Sequence, residues 1–183
     1  GQRTLIHTAD VSKAMESAEA VKAAADRFGG VDVLVNNAGI ATQGDVTATE
    51  DSDFQKVMDV NVAGCFHMAK AAMPHLKRAR GAIVMTSSVS GLGGDWSMLA
   101  YNASKGAVTN MVRAMAMDHA AEGVRVNAVA PGYIDTSGWD AFDKEEVEES
   151  AGLRIPLGRW ASPSEVAEPV AFLSSPAASY ITG

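Results

Sequence analysis

The sequence predicts an α/β protein: a doubly wound parallel sheet in a three-layer αβα arrangement, with residues 1–183 forming one partial domain. Three observations carry that expectation. Apolar runs of strand length recur at 31–35, 82–86 and 124–129, and helix signals fill the intervals between them. Alternation of this kind gives parallel strands joined by helical crossovers, with helices on both faces of the sheet. No internal repeat or low-complexity segment competes with this reading.

The elements follow in order. Residues 4–8 are a short apolar run ending at Asp10, read as a first strand. Residues 12–28 read as a helix, with Ser12 as N-cap and Gly29-Gly30 as its stop. Residues 31–35 form a buried strand, and 50–58 and 59–78 are two helical segments. Residues 82–86 are a second buried strand entered through Gly81. A long helix over 98–121 ends before Gly123, and 124–129 is a third buried strand. Ser162 caps a helix with Pro163 at its first position, running to about Ser174. The acidic stretch 135–150, with Trp139 and Phe142, has weak periodicity and reads as a mobile flap or an ordinary surface excursion.

Composition narrows the class. A chain of 183 residues, 47% hydrophobic, can bury one sizeable core. Fifteen basic residues against 22 acidic ones, with no Lys/Arg run, argue against a nucleic-acid partner. The single Cys65 cannot form an internal disulfide and is expected to pack on its helix. No stretch approaches the ~20 apolar residues of a membrane span, and the start lacks the apolar core of a signal peptide. The expectation is a cytoplasmic protein with no membrane contact.

Chemistry enters at Tyr101 and Lys105, which lie thirteen and seventeen residues after Ser88. Residues four apart share a helix face. An ammonium about 4 Å from a phenol contributes up to ~4 kcal/mol at an effective dielectric of 20, or roughly three pKa units. A phenol so tuned can exchange a proton with an alcohol oxygen near neutral pH. Taken alone, the pair also fits a buried tyrosine with a snorkelling lysine.

The pair has company. Asn36-Asn37-Ala38-Gly39 follows one apolar run, and Asn61-Val62-Ala63-Gly64 opens a helix. Thr86-Ser87-Ser88 precedes the Tyr–Lys pair, and Pro131-Gly132-Tyr133-Ile134-Asp135-Thr136 follows the last strand. In this order the motifs resemble the short-chain dehydrogenase/reductases, over essentially the whole chain. The resemblance implies a Rossmann-like fold, NAD or NADP as cofactor, a secondary alcohol or ketone as substrate, and a homo-oligomer, most simply a tetramer.

It also implies roles. Tyr101 is the acid/base, and Lys105 lowers its pKa and binds the nicotinamide ribose. Ser88 hydrogen-bonds the substrate oxygen, with Ser87 structural. Asn61 holds a water that links Lys105 to solvent; a helix-kink residue bonded to its own backbone is the alternative. Asp10 and Val11 border the adenine, although Asp10 also fits a turn or N-cap. Asn37, Ala38 and Gly39 line the cofactor through their backbone, and Pro131, Gly132, Ile134 and Thr136 meet the carboxamide side of nicotinamide.

No G-x-G-x-x-G or T-G-x-x-x-G-x-G stands in the chain. Gly91-Leu92-Gly93-Gly94 follows the strand carrying Ser88 and resembles the substrate-side loop, not a phosphate cradle. The chain therefore reads as the middle of a longer enzyme, without the first βαβ unit and the last strand, and nucleotide binding by these 183 residues alone is expected to be poor. The loop through Asp95-Trp96 is similar to 2,3-butanediol dehydrogenases and acetoin reductases. Ile155-Pro156-Leu157-Gly158-Arg159 resembles β-ketoacyl-carrier-protein reductases equally well. A small diol or hydroxyketone is the expected substrate, an acyl thioester the alternative; a non-catalytic interaction module is the reading from a different class. His7, His67, His75 and His119 show no metal-ligand spacing, and Met111, Met115 and Met117 are expected in a core or subunit interface.

Overall fold

The computed structural model describes residues 3–137 and 155–183. Strands β1 (Val33–Asn36), β2 (Ala82–Thr86) and β3 (Arg125–Val129) pair in parallel in the order β1-β2-β3. The register sets Val33 beside Ala82 and Ala82 beside Arg125. Helices α1 (Ala14–Phe28), α2 (Asp51–Met58), α3 (Gly64–Ala79), α4 (Leu99–His119) and α5 (Pro163–Ser174) complete the framework. The parallel-sheet α/β expectation holds.

Side chains alternate between the faces of a sheet, and paired residues of parallel strands share a face. Leu34, Ile83, Met85 and Val126 pack on one side with Val21 of α1, Ala69 and Leu76 of α3, and Val108 and Val112 of α4. On the other side Arg125 donates to the carbonyls of Leu173 (2.8 Å) and Ser175 (3.1 Å), and Asn127 Nδ2 donates to Ile181 O (2.9 Å). The α5 segment thus covers β2 and β3 there. Ile83, Val84 and Met85 of the central strand are fully buried.

Four local expectations are corrected. Residues 4–8 form no strand; Leu5 and Ile6 are exposed, since an apolar run becomes a strand only where a neighbour takes its backbone groups. The run at 31–35 is not buried throughout: β1 spans Val33–Asn36, Leu34 is buried, and Val33 and Val35 are 38% and 45% exposed. Their face lies beyond the part of the sheet that α5 covers. Ser12 does not cap α1, which starts after Lys13. The Ser12 hydroxyl and N–H both donate to Asp10 Oδ1, at 2.7 and 3.0 Å, so the serine serves a turn instead. Finally, the two helical segments at 50–58 and 59–78 are one continuous rod, joined by a π-helical stretch Asp59–Ala63.

Other elements match. The helix start at Ser162-Pro163 is a reciprocal cap, with Ser162 N–H donating to Glu165 Oε2 at 2.9 Å. Cys65 is buried, and burial pushes its thiol up, which keeps it unreactive. Met111 and Met115 pack against the core, whereas Met117 is exposed. The stretch 135–150 lies outside the described residues from position 138 onward.

Candidate active site

The three strands leave the sheet at one end, where open α/β sheets gather ligands. Thr86 Oγ1 donates to Asn37 Oδ1 at 2.9 Å, tying the exit of β2 to that of β1. Ser87 N–H donates to Val129 O at 2.8 Å and Val89 N–H to Pro131 O at 3.0 Å, tying it to the exit of β3. Asn37, Ser88 and Pro131 therefore converge, as do the Ala38-Gly39 and Gly132 segments that follow in sequence. Ile134 bridges to Ala161, and Thr136 is exposed beyond it.

Helix α4 runs across this end. Lys105 is only 5% exposed, and its Nζ donates to Thr86 O at 2.7 Å. The ammonium sits 5.5 Å from the centroid of the Tyr101 ring, a cation–π contact worth about 0.5–2 kcal/mol. The loop after Ser88 crosses the helix at this level: a Cβ on Gly91 would lie 2.6 Å from the backbone carbonyl of Lys105. Only glycine permits that approach. Ser87 is structural, bonding Lys105 O at 3.1 Å and Thr109 Oγ1 at 2.6 Å.

The charge balance differs from the expectation. Burial pushes the Tyr101 phenol above its ordinary value, with the Ser88 hydroxyl opposing and Asp95 adding to the rise. Burial pushes the Lys105 ammonium down. The Lys105 ammonium bonds Thr86 O and stands over the Tyr101 ring, and the influences on the phenol are burial, Ser88 and Asp95.

Asn61 lies inside the π-helical stretch and is 1% exposed. Its Oδ1 accepts from Ile40 N–H at 2.8 Å, and its Nδ2 donates to Ile40 O and Ser104 Oγ, each at 2.9 Å. The side chain is a strut from helix to strand exit and to α4, not a residue bonded to its own backbone, and both amide protons are committed.

Sequence reasoning missed the partners of Ser88. Ser88 Oγ donates to Ser90 Oγ at 3.1 Å and accepts from Ser90 N–H at 3.2 Å. Ser90 in turn donates to the Asp95 carboxylate. Asn102, next to Tyr101, holds Asp95 through Nδ2 to Asp95 O at 2.8 Å. The signal was present in the residue types, two serines and an acid within eight positions, but their pairing depends on the turn Val89–Gly91.

Asp10 makes the local turn described above, and Glu16 accepts its N–H at 2.7 Å. Val11 touches the helix that follows Asn61: His67 Nδ1–H donates to Val11 O at 3.2 Å. His75 accepts from Arg78 and His119 pairs with Glu122. Among the described residues, no three His, Cys, Asp or Glu side chains gather as a metal site.

A family model described as Enoyl-(Acyl carrier protein) reductase matches residues 1–183. A meso-2,3-butanediol dehydrogenase of Serratia marcescens is 42% identical over 186 residues, covering 100% of this chain and 72% of that protein. The chain belongs to the short-chain dehydrogenase/reductase family. An inactive 2-(S)-hydroxypropyl-CoM dehydrogenase 2 of Xanthobacter autotrophicus is also 42% identical, over 96% of this chain and 79% of that protein. The crystal structure of a 3-ketoacyl-(acyl-carrier-protein) reductase from Brucella melitensis complexed with NADH superposes with a TM-score of 0.90. It shares 34% identity and is matched over 100% of this chain and 75% of that one.

As a short-chain dehydrogenase/reductase, the protein is an NAD(P)-dependent oxidoreductase of the CH–OH class. The strand exits fit a nicotinamide nucleotide. A methyl group at Gly39 would stand 3.3 Å from Asn61 Oδ1 and 3.5 Å from Lys105 Nζ, so a bare backbone lies against the buried ammonium. Lys105 has two further N–H donors beyond the one on Thr86, the right chemistry for ribose hydroxyls. No helix among the described residues is long and apolar enough to cross a membrane.

Proposed function

We propose that this protein interconverts a secondary alcohol and its ketone, with Asn61, Ser88, Tyr101 and Lys105 as its working residues. The observation that carries this is the gathering of Ser88, Tyr101 and Lys105 at the carboxyl ends of the strands. A bound nicotinamide supplies the hydride acceptor or donor and, when oxidised, a positive charge. Tyr101 gives its proton to the ketone oxygen in reduction and takes the alcohol proton in oxidation. Its raised pKa keeps the acid form ready for the first of these. Ser88 hydrogen-bonds the same oxygen, and Lys105 holds ribose hydroxyls while shaping the field at the phenol.

Asn61 keeps Ile40 and Ser104 in place. Asn37, Ala38 and Gly39 line the cofactor from the exit of β1. Pro131, Gly132, Ile134 and Thr136 meet its carboxamide side, and Asp10 with Val11 borders the adenine. Because a relative named inactive is as similar as an active one, the intact side chains, not overall likeness, support activity. Tyr101→Phe in the full-length protein tests it: turnover falls by several orders of magnitude while nucleotide affinity stays within a few-fold. Near-normal alcohol oxidation by that variant removes Tyr101 from the chemistry.

For substrate, the reading is a vicinal diol or hydroxyketone such as acetoin. Support comes from the loop at 91–96, with Trp96 and Leu92 exposed and an acidic Asp95, and from the Serratia relative. An acyl thioester is the second reading, favoured by the 155–159 segment and the Brucella enzyme. Specificity constants on both classes decide; a tenfold preference for acetoacetyl thioester moves the protein to the second. A cytoplasmic homotetramer belongs to the same proposal. It is supported by Phe66 on α3 and Met117 on α4, both exposed, and light scattering checks it.

A further inference from the structure

The loop over residues 91–96 has little of its own to hold it in place. Leu92 and Trp96 are exposed, so neither anchors it in the core. Beyond its chain neighbours, a Cβ on Gly93 would meet nothing nearer than Val89 O at 3.9 Å. One on Gly94 would meet nothing nearer than Asn102 Nδ2 at 4.0 Å. Neither glycine has a positive φ, so space and backbone both admit a side chain, and the pair serves only to loosen the chain. Before them Gly91 lies against the Lys105 carbonyl, and after them Gly44 N–H donates to Ser97 O at 2.8 Å. Between these points α4 meets the loop at Asn102. Its Nδ2 donates to Asp95 O at 2.8 Å, and its Oδ1 accepts from Asp95 N–H at 3.4 Å. One side-chain amide thus takes both backbone groups of one residue, and only Nδ2 can face the carbonyl. Ser90 Oγ donates to the Asp95 carboxylate, and Ser90 N–H donates to Ser88 Oγ at 3.2 Å. The amide is therefore two residues removed from the substrate-side serine.

We propose that Asn102 is a positioning residue, whose amide clamps the backbone of Asp95 and so fixes the substrate-side loop on the helix that carries Tyr101 and Lys105. The inference rests on reading 91–96 as the substrate side of a secondary-alcohol site. Asn102 touches neither substrate nor nucleotide in this role; it acts through Asp95. Its place on α4 suits the task. The residue after Tyr101 is turned by about 100° around the helix, so its side chain meets the loop while the phenol faces the site. A loop held in advance spares the incoming alcohol the entropy of ordering it. The clamp therefore acts on substrate binding, and the nucleotide is left to the exit of β1 and to Lys105.

The test uses the full-length protein with oxidised nucleotide and 2,3-butanediol. It measures kcat, KM and nucleotide affinity for wild type, Asn102→Ala, Gly93→Ala and the double variant. Alanine is the better helix former, so Asn102→Ala cuts the clamp and leaves α4 intact. KM for the diol is expected to rise about 10-fold, the size of one or two lost hydrogen bonds, while kcat and nucleotide affinity stay within a few-fold. Gly93→Ala stiffens the loop through its own backbone. In that background the Asn102→Ala change is expected to cost about 2- to 5-fold less. A merely structural Asn102 gives the same loss in both backgrounds, and that result overturns the clamp. An unchanged KM in Asn102→Ala overturns it too, as does a nucleotide affinity that falls as far as KM rises. If the wild type turns over neither the diol nor an acetoacetyl thioester, the reading of the site falls first, and the clamp with it.

Discussion

The exit of β2 and the start of α5 are both stitched by charged and hydroxyl side chains, yet the stitches reach very different distances. Lys105 meets Thr86, Asn61 meets Ile40 and Ser104, and Ser87 meets Thr109, joining residues 19 to 43 positions apart. At α5, Arg159 and Ser162 both bind Glu165, within six positions and in solvent. The first set holds four elements together around buried groups that have no water to fall back on. The second shapes one helix end, where water replaces any lost partner. The same bond types thus fix a tertiary site in one place and a local cap in the other.

That contrast can be broken at its strong end first. Lys105→Ala removes the buried cation and leaves Thr86 O without its donor; turnover is expected to fall on the order of 10²–10⁴-fold, and nucleotide affinity with it. Steady-state kinetics and calorimetry check both; an unchanged affinity would leave Lys105 with one task only. Asn61→Leu should strand the Ile40 N–H and C=O, costing about 2–4 kcal/mol and lowering Tm by roughly 4–16 °C. A melting curve shows it, and a shift under one degree would mean that water fills the gap. Gly91→Ala forces the loop off α4 for a cost of about 1–3 kcal/mol, with the Ser88 geometry and activity disturbed together.

The weak end sharpens the comparison through pH. Arg159 beside Glu165, with the Ser162 N–H, lowers the Glu165 carboxyl from 4.5 to about 2. A depressed carboxyl stabilises the fold fully above its unfolded pKa and loses that contribution as pH falls through its folded pKa. The window is therefore from about 4.5 down to about 2. Glu165→Gln should differ slightly from wild type in Tm above this window and converge with it below. A large difference at neutral pH would make the cap more than local.

The meeting of Tyr101 and Lys105 was legible because residues four apart share a helix face, and the ammonium does stand against the ring; Asn61 and Ser88 were named only through the family resemblance. Orientation was not legible. Spacing brings Lys105 to the face of Tyr101, but the carbonyl of Thr86, made available by the end of β2, decides where the ammonium points. The Ser88–Ser90–Asp95 polarity likewise follows from which group can only accept. The strand expected at 4–8 failed because apolar content says nothing about a pairing partner. The cap expected at Ser12 failed because Asp10, two residues back, offers its hydroxyl and N–H a nearer acceptor.

The π-helical stretch Asp59–Ala63 explains the break that periodicity placed at residue 58. There Gly64 N–H reaches back to Asp59 O, five residues away, so one more residue is fitted into a turn than an α-helix holds. Such a turn behaves as a single-residue insertion in the gene, and it shifts the phase of everything downstream by about 100°. Excising one codon there would leave an unbroken, ordinary helix of good propensity. It would also rotate Cys65, Ala69, Ala72 and Leu76 away from the sheet they now cover. The helix would survive the deletion and the enzyme would not.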